Sequence, residues 1–355
     1  MTRHARPAAT PAILAIGLAA LILPAGRVAR ACTTNCVGGD RPVVAYNYDF
    51  HPQEGLLLVN QRGTVRRSRV EPGGAVWTSR YGSVTFNQFG RDNPTTGMNE
   101  RGLMVSLMWL DGSEYPPADA RPAAGILEWI QRHLDLDETV ADVIATAETV
   151  RPTGTTPIHY FFADARGDAA VIEFFAGRMV VHRGADLPVR ALANNTYDES
   201  VRAYDAAKRR GEMPASRGSL DRFVRGAMLS EGKGDPIARG FEILASVANP
   251  GYTRWSVVYD LAARVVHFRT DSNPEIRRLA LGGLDFACEG TVRMFDVTAA
   301  GSGDVAGRLR PYTRAANRAL IEASFGRTPF LKDRSGAEKD AAAAHPDRTS
   351  TCAGR

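Results

Sequence analysis

The chain has 355 residues, 44% of them hydrophobic and 23% charged, enough for one large core or two modest ones. Its formal charge of +5 misleads: Arg3, Arg6, Arg27 and Arg30 fall in the first 31 residues, which hold no Lys, Asp or Glu, so the rest is nearly neutral and offers no basic face for nucleic acid. The four cysteines, Cys32, Cys36, Cys288 and Cys352, are too few for a disulfide scaffold and lack the paired CxxC spacing of a zinc site, so no metal is expected.

Residues 1–31 have the three parts of an export signal. Arg3 and Arg6 supply a basic start, Ile13–Leu23 an apolar run, and Ala29 and Ala31 a small-residue cleavage site just before Cys32. The run is too short for a permanent spanning helix, and nothing downstream approaches that length. The expected product is a soluble chain beginning at Cys32, secreted or periplasmic, with no stable membrane insertion.

Strand signals follow over 43–50 (VVAYNYDF), 56–60 (LLLVN), 76–80 and 83–88. GLMVSLMWL (102–110) is so uniformly apolar that it predicts a strand buried on both faces. Ile126, Trp129, Ile130 and Leu134 recur at helical spacing after Pro122, and a second helix is expected over 137–150 with Asp137 as N-cap. Strands at 158–165, 170–176 and 178–183 are separated by ARGD and AG, which is hairpin chemistry. Two more helical stretches cover 219–232 and 236–249, and a last hairpin joins 253–260 to 264–270. This succession predicts one layered α+β domain over 32–331. Residues 332–355 are polar and alanine-rich, so a mobile tail is expected there.

If cleavage follows Ala31, Cys32 carries a thiol and a free α-amine on one residue. The amine has an ordinary pKa of about 7.7 to 8.0 and can take the thiol proton, so nucleophile and base need no recruited histidine. The protonated amine can later return that proton to a leaving amine. Two other uses of Cys32 compete. One is a lipid anchor, against which Arg30 argues because a lipoprotein signal wants a small residue there; the other is a disulfide. The seven histidines, His51 and His159 among them, sit in no cysteine-protease signature.

CTTN (32–35), AYNYDF (45–50), YGSVTFNQFG (81–90), GMNERGLMVSLMW (97–109), ALANNTY (191–197), SLDRFVR (219–225) and TRWSVVYDL (253–261) occur in an order that resembles the choloylglycine hydrolase and penicillin V acylase family of N-terminal-nucleophile amide hydrolases. The resemblance implies a four-layer αββα fold with two stacked, mostly antiparallel sheets. It implies Cys32 as nucleophile and Asp49 as the acid that holds its amine. Asn194 would supply the oxyanion side chain, with Asn195 the neighbouring alternative. Trp109 either completes that hole through its backbone N–H or side chain, or is a plain core aromatic. Arg222 would lie near the thiol, with Arg225 on the same helical face the alternative.

The implied reaction is hydrolysis of a linear, non-peptide amide in a small N-acyl substrate, through a thioester and without cofactor. Penicillin V, bile-salt conjugates and acyl-homoserine lactones are candidate substrates, and a homo-oligomer, tetramer or dimer, is implied. Phe50, Met108, Trp109, Leu110 and Tyr115 are candidates to line an acyl pocket. Relatives carry R-x-x-D where this chain reads Tyr46-Asn47-Tyr48-Asp49, so Tyr46 replaces an expected basic residue with a hydroxyl that brings no positive charge. That departure keeps open a catalytically weak or inactive binding protein, secreted or lipid-anchored, on the same fold. Cys36 is expected to pair with Cys288 or Cys352.

Overall fold

The computed structural model describes residues 32–38 and 43–353; the export signal expected over 1–31 lies outside them. Two sheets form the centre of the molecule. The first has seven strands in the order 191–192, 33–37, 43–49, 253–260, 265–270, 277–280 and 303–304, antiparallel except for the last pair. The second has nine, all antiparallel, in the order 178–183, 169–175, 158–163, 104–109, 94–99, 83–87, 56–60, 293–296 and 310–311.

Alternation along the strands explains the stacking. Tyr46, Tyr48, Phe86, Met108, Phe161, Val257 and Tyr259 share one buried cluster between the sheets. The neighbouring positions Val105, Tyr160 and Phe162 point the other way, against Trp129, Ile130 and Leu134 of helix α1 (Ile126–Leu136). On the far side, Val43, Ala45 and Val258 of the first sheet pack against Phe241 and Leu244 of α5 (Pro236–Ser246). The layers therefore run helix, sheet, sheet, helix. The intersheet layer also holds polar contacts, with Thr34 Oγ1 2.8 Å from Ser106 Oγ and Thr96 Oγ1 2.9 Å from Tyr259 Oη.

Several elements differ from the sequence reading. Helix α2 (Val140–Thr146) is capped by Thr139, not Asp137: Thr139 accepts from the Asp142 N–H and Asp142 returns the bond, while the Asp137 carboxylate is occupied by His133. Helix α3 (Tyr197–Arg210) was not anticipated, because its polar sequence buries only Tyr197, Ser200, Tyr204 and Ala207. Helix α4 (Ser219–Ser230) lies where expected.

The mobile tail is a correction. After α6 (Arg314–Arg327), residues Gly336–Thr349 form α7, and Ser350–Cys352 pairs with the strand Thr64–Arg67. Its order does not come from apolar burial, which is why composition hid it. Ser335 caps α7, Arg314, Arg318 and Lys339 pair with Asp347, Asp340 and Glu322, and Ser350 bonds the buried Asp92 carboxylate at 2.5 Å. Cys352 is disulfide-bonded to Cys288, so Cys36, expected to take one of these partners, is a free thiol instead.

Candidate active site

Cys32 precedes the first strand and lies beside the end of the second, where Thr33 is in register with Asn47. The Asp49 N–H points at Cys32 Sγ at 3.4 Å, and Sγ is 3.7 Å from the Asp49 carbonyl oxygen. The thiol is thus held by the main chain of the residue expected to hold its amine. The Asp49 carboxylate is buried. Its Oδ2 accepts from Asn249 Nδ2 at 2.9 Å, while Oδ1 is buried with no hydrogen-bond partner among the described residues. A buried, half-satisfied carboxylate is costly and marks a place for a donor.

Arg222, on α4, is almost fully buried and binds the same corner. Nη1 donates to the Cys32 carbonyl oxygen at 3.1 Å and also to Thr33 Oγ1; Nη2 donates to Asn194 Oδ1 at 2.8 Å. The approach of α4 depends on Gly226, since a side chain there would run into the buried Asn35. Asn194 is fixed at three points: Arg222 on Oδ1, the Trp109 carbonyl oxygen 2.8 Å from Nδ2, and Ser219 Oγ 2.8 Å from the Asn194 N–H. One Nδ2 hydrogen is committed to Trp109, and the amide has two.

Burial pushes the Cys32 thiol up to about 12, reinforced by the Asp49 charge; the Asp49 N–H, the Tyr46 hydroxyl and Arg222 pull the other way. Burial likewise raises the Asp49 carboxyl to about 6, against Thr253, Arg222 and Asn249. The thiol is therefore neutral in this state, and a base must take its proton before it can attack. Among the described residues no cluster of three or more His, Cys, Asp or Glu could hold a metal ion. No helix among them is long and apolar enough to cross a membrane.

Residues 40–294 match the family described as linear amide C–N hydrolases, choloylglycine hydrolase family. The chain belongs to that family. It is 28% identical to penicillin V acylase of Pectobacterium atrosepticum over 338 residues, covering 78% of this chain and 88% of that protein. The structure resembles penicillin V acylase from Agrobacterium tumefaciens with a TM-score of 0.72 at 26% identity, covering 80% of this chain and 98% of the other. The fold is also that of variant R18L of conjugated bile acid hydrolase from Clostridium perfringens, with a TM-score of 0.65 at 14% identity, covering 76% and 98% of the two chains. The stacked, mostly antiparallel sheets and flanking helices are thus the α+β architecture of N-terminal-nucleophile hydrolases, and the chain is a linear amide C–N hydrolase. Cys32 itself precedes the matched residues.

In this choloylglycine hydrolase homologue the remaining expected site residues divide. Tyr46 is fully buried between the sheets; its hydroxyl donates to the Leu107 carbonyl oxygen at 3.0 Å and reaches the Cys32 thiol. Trp109 is half-buried, its carbonyl rather than its N–H faces Asn194, and its indole donates to Asp111 at 2.8 Å.

Two residues are not brought to the cysteine. Asn195 donates to Glu199 in the first turn of α3 at 3.1 Å, and Arg225 donates to the carbonyls of Pro214, Ser216 and Ser246. Arg225 shares the helix with Arg222 but ties down the loop that precedes it. Tyr115, expected in an acyl pocket, packs on Phe174 behind the second sheet. Phe50 instead joins His51 and Phe89 beyond the end of the Asp49 strand. Sequence reasoning missed Asn249 and Ser219: one is a lone polar residue in the connection after α5, the other opens α4, and only the fold carries them to Asp49 and Asn194.

Proposed function

We propose that this hydrolase is exported, cut between Ala31 and Cys32, and cleaves the linear amide of a small N-acyl compound through the Cys32 thiol. The observation that carries the reading is the buried Asp49 Oδ1, which has no donor among the described residues and lies beside a cysteine whose sulfur already rests on the Asp49 main chain. Once cut, the Cys32 amine takes the proton from Sγ and the resulting ammonium is held by Asp49. Sulfur attacks the acyl carbon, and negative charge develops on the carbonyl oxygen, which the second Nδ2 hydrogen of Asn194 stabilises. The C–N bond breaks as the ammonium returns its proton to the departing amine. Water, deprotonated by the same α-amine, then cleaves the thioester and releases the acid. Arg222 holds the Cys32 carbonyl and Asn194 in one frame and opposes the desolvation of the thiolate.

Penicillin V is the first substrate to try, since two of the relatives described above are penicillin V acylases. A bile-salt conjugate and an acyl-homoserine lactone complete the panel. The test pairs intact mass and terminal sequencing of the exported protein with hydrolysis of that panel. A chain beginning at Cys32 with an unmodified amine, active as wild type and as Cys36→Ala but inactive as Cys32→Ala, is the expected result. Acylation of Cys32, or turnover retained in Cys32→Ala, would sink the mechanism.

A further inference from the structure

Asn194 sits on a short stretch between the strand Ala191–Leu192 and α3, and both ends of that stretch are tied to one buried pair of side chains. His159 donates from Nε2 to the Ala193 carbonyl oxygen at 2.8 Å, and its Nδ1 lies 3.0 Å from Glu173 Oε1. The same Oε1 accepts the Tyr197 N–H at 3.1 Å. Glu173 Oε2 meets His182 Nε2 at 3.1 Å, and the His182 ring lies against Tyr197 with centroids 4.7 Å apart. His159 and Glu173 are both buried.

A carbonyl oxygen only accepts, so His159 Nε2 is the donor to Ala193, and Nδ1 faces Glu173 Oε1 on the other side of the ring. Burial works against the Glu173 carboxylate, but hydrogen bonds from His159 and His182 outweigh it and hold its pKa at about 2. A paired, fully bonded charge of this kind is rigid, because any rearrangement leaves an unpaired buried group. Register adds a second link. His159 lies opposite Met108 and Ile158 opposite Trp109, so the two strands that hold the Ala193 carbonyl and the Asn194 side chain are direct neighbours.

We propose that the His159–Glu173 pair is a positioning device for the oxyanion asparagine, clamping the Ala193 carbonyl before Asn194 and the Tyr197 N–H after it. The inference rests on the cysteine-amidohydrolase reading above. Neither side chain touches the substrate. The pair acts through Asn194, whose amide it keeps aimed at the oxygen on which charge develops.

The test uses the full exported enzyme, with rates normalised to titrated Cys32 thiol and penicillin V, or the panel member turned over fastest, as substrate. A Gln amide reaches about as far as imidazole Nε2, an Asn amide about as far as Nδ1. His159→Gln therefore restores the donor to Ala193, whereas His159→Asn does not. Loss of one oxyanion donor commonly lowers kcat by about 10²- to 10³-fold, so partial misalignment in His159→Asn is expected to lower kcat by roughly 10- to 100-fold. KM and the rate of thiol alkylation should stay near wild type, and His159→Gln should recover most of the loss. Glu173→Gln keeps the shape of the side chain and serves if His159→Asn does not fold; the same kcat-selective loss is expected.

Wild-type kcat in His159→Asn or Glu173→Gln overturns the clamp, as does a loss that Gln at 159 does not recover or that follows thiol reactivity. A wild type that hydrolyses none of the panel, or an active Cys32→Ala, instead overturns the reading on which the clamp rests.

Discussion

Asp49 is the residue whose protonation state governs the proposed cycle most directly. Burial places its carboxyl near 6, above an ordinary aspartate. It is therefore ionised, and able to hold the Cys32 ammonium, above about pH 6, and progressively neutral below. The ammonium itself favours the carboxylate, so the working value lies at or under 6. We expect kcat/KM to fall as pH drops through that region. Asp49→Asn should abolish this acid limb and lower the plateau by about 10²-fold or more, the usual size of an acid–base contribution. An acid limb that persists unchanged in Asp49→Asn would assign it to another group. Tyr46 has a smaller part: its hydroxyl reaches the thiol but is already donated to Leu107. It cannot replace a cation, and Arg222 is the cation the fold supplies.

At the level of elements, α4 is the critical placement. It delivers Arg222 to Cys32 and Ser219 to Asn194, and it lies close enough to the first sheet only because residue 226 has no side chain. In Gly226→Ala the added methyl meets the side-chain amide of Asn35, which is buried in the sheet, so that amide or the helix must shift. Overpacking of this kind typically costs about 1–3 kcal/mol. Thermal unfolding should shift down accordingly, and kcat/KM should fall further than stability alone explains, because Arg222 moves with the helix. Unchanged kcat/KM in the folded variant would show that the exact position of α4 does not matter. The same reasoning explains why Arg225, one turn along, cannot substitute. Its guanidinium is consumed by the carbonyls of Pro214 and Ser216 in the loop before α4 and of Ser246 at the end of α5.

For the whole molecule, the C-terminal segment is a fastening rather than a tail. Cys352 closes a covalent loop with Cys288 across a sequence separation of 64, and Ser350 reaches Asp92, which is paired with Arg66, itself bonded to Asp135 on α1. Cross-links that enclose loops of this size stabilise by about 2–4 kcal/mol. Cys352→Ser should lower the unfolding midpoint by that amount in denaturant while leaving kcat at 25 °C close to wild type, since none of these groups approaches Cys32. A large loss of kcat at unchanged stability would contradict the separation of fastening and site.

Local patterning was enough to read most of the central strands, α1, α4 and α5, because each carries an apolar face that must be buried whatever its neighbours are. Cys32, Asp49, Asn194 and Arg222 were legible as motif positions, and the fold brings all four to one corner. What sequence could not decide were the pairings between distant polar groups. Nothing local distinguishes Arg222 from Arg225, gives Cys352 rather than Cys36 to Cys288, or links His159 to Glu173 and Ala193. The order of residues 332–353 belongs with these. Apolar periodicity is a property of one segment and survives in the sequence alone, whereas a hydrogen bond, an ion pair or a disulfide belongs to two segments. Which two meet is set only when the sheets stack and the helices dock.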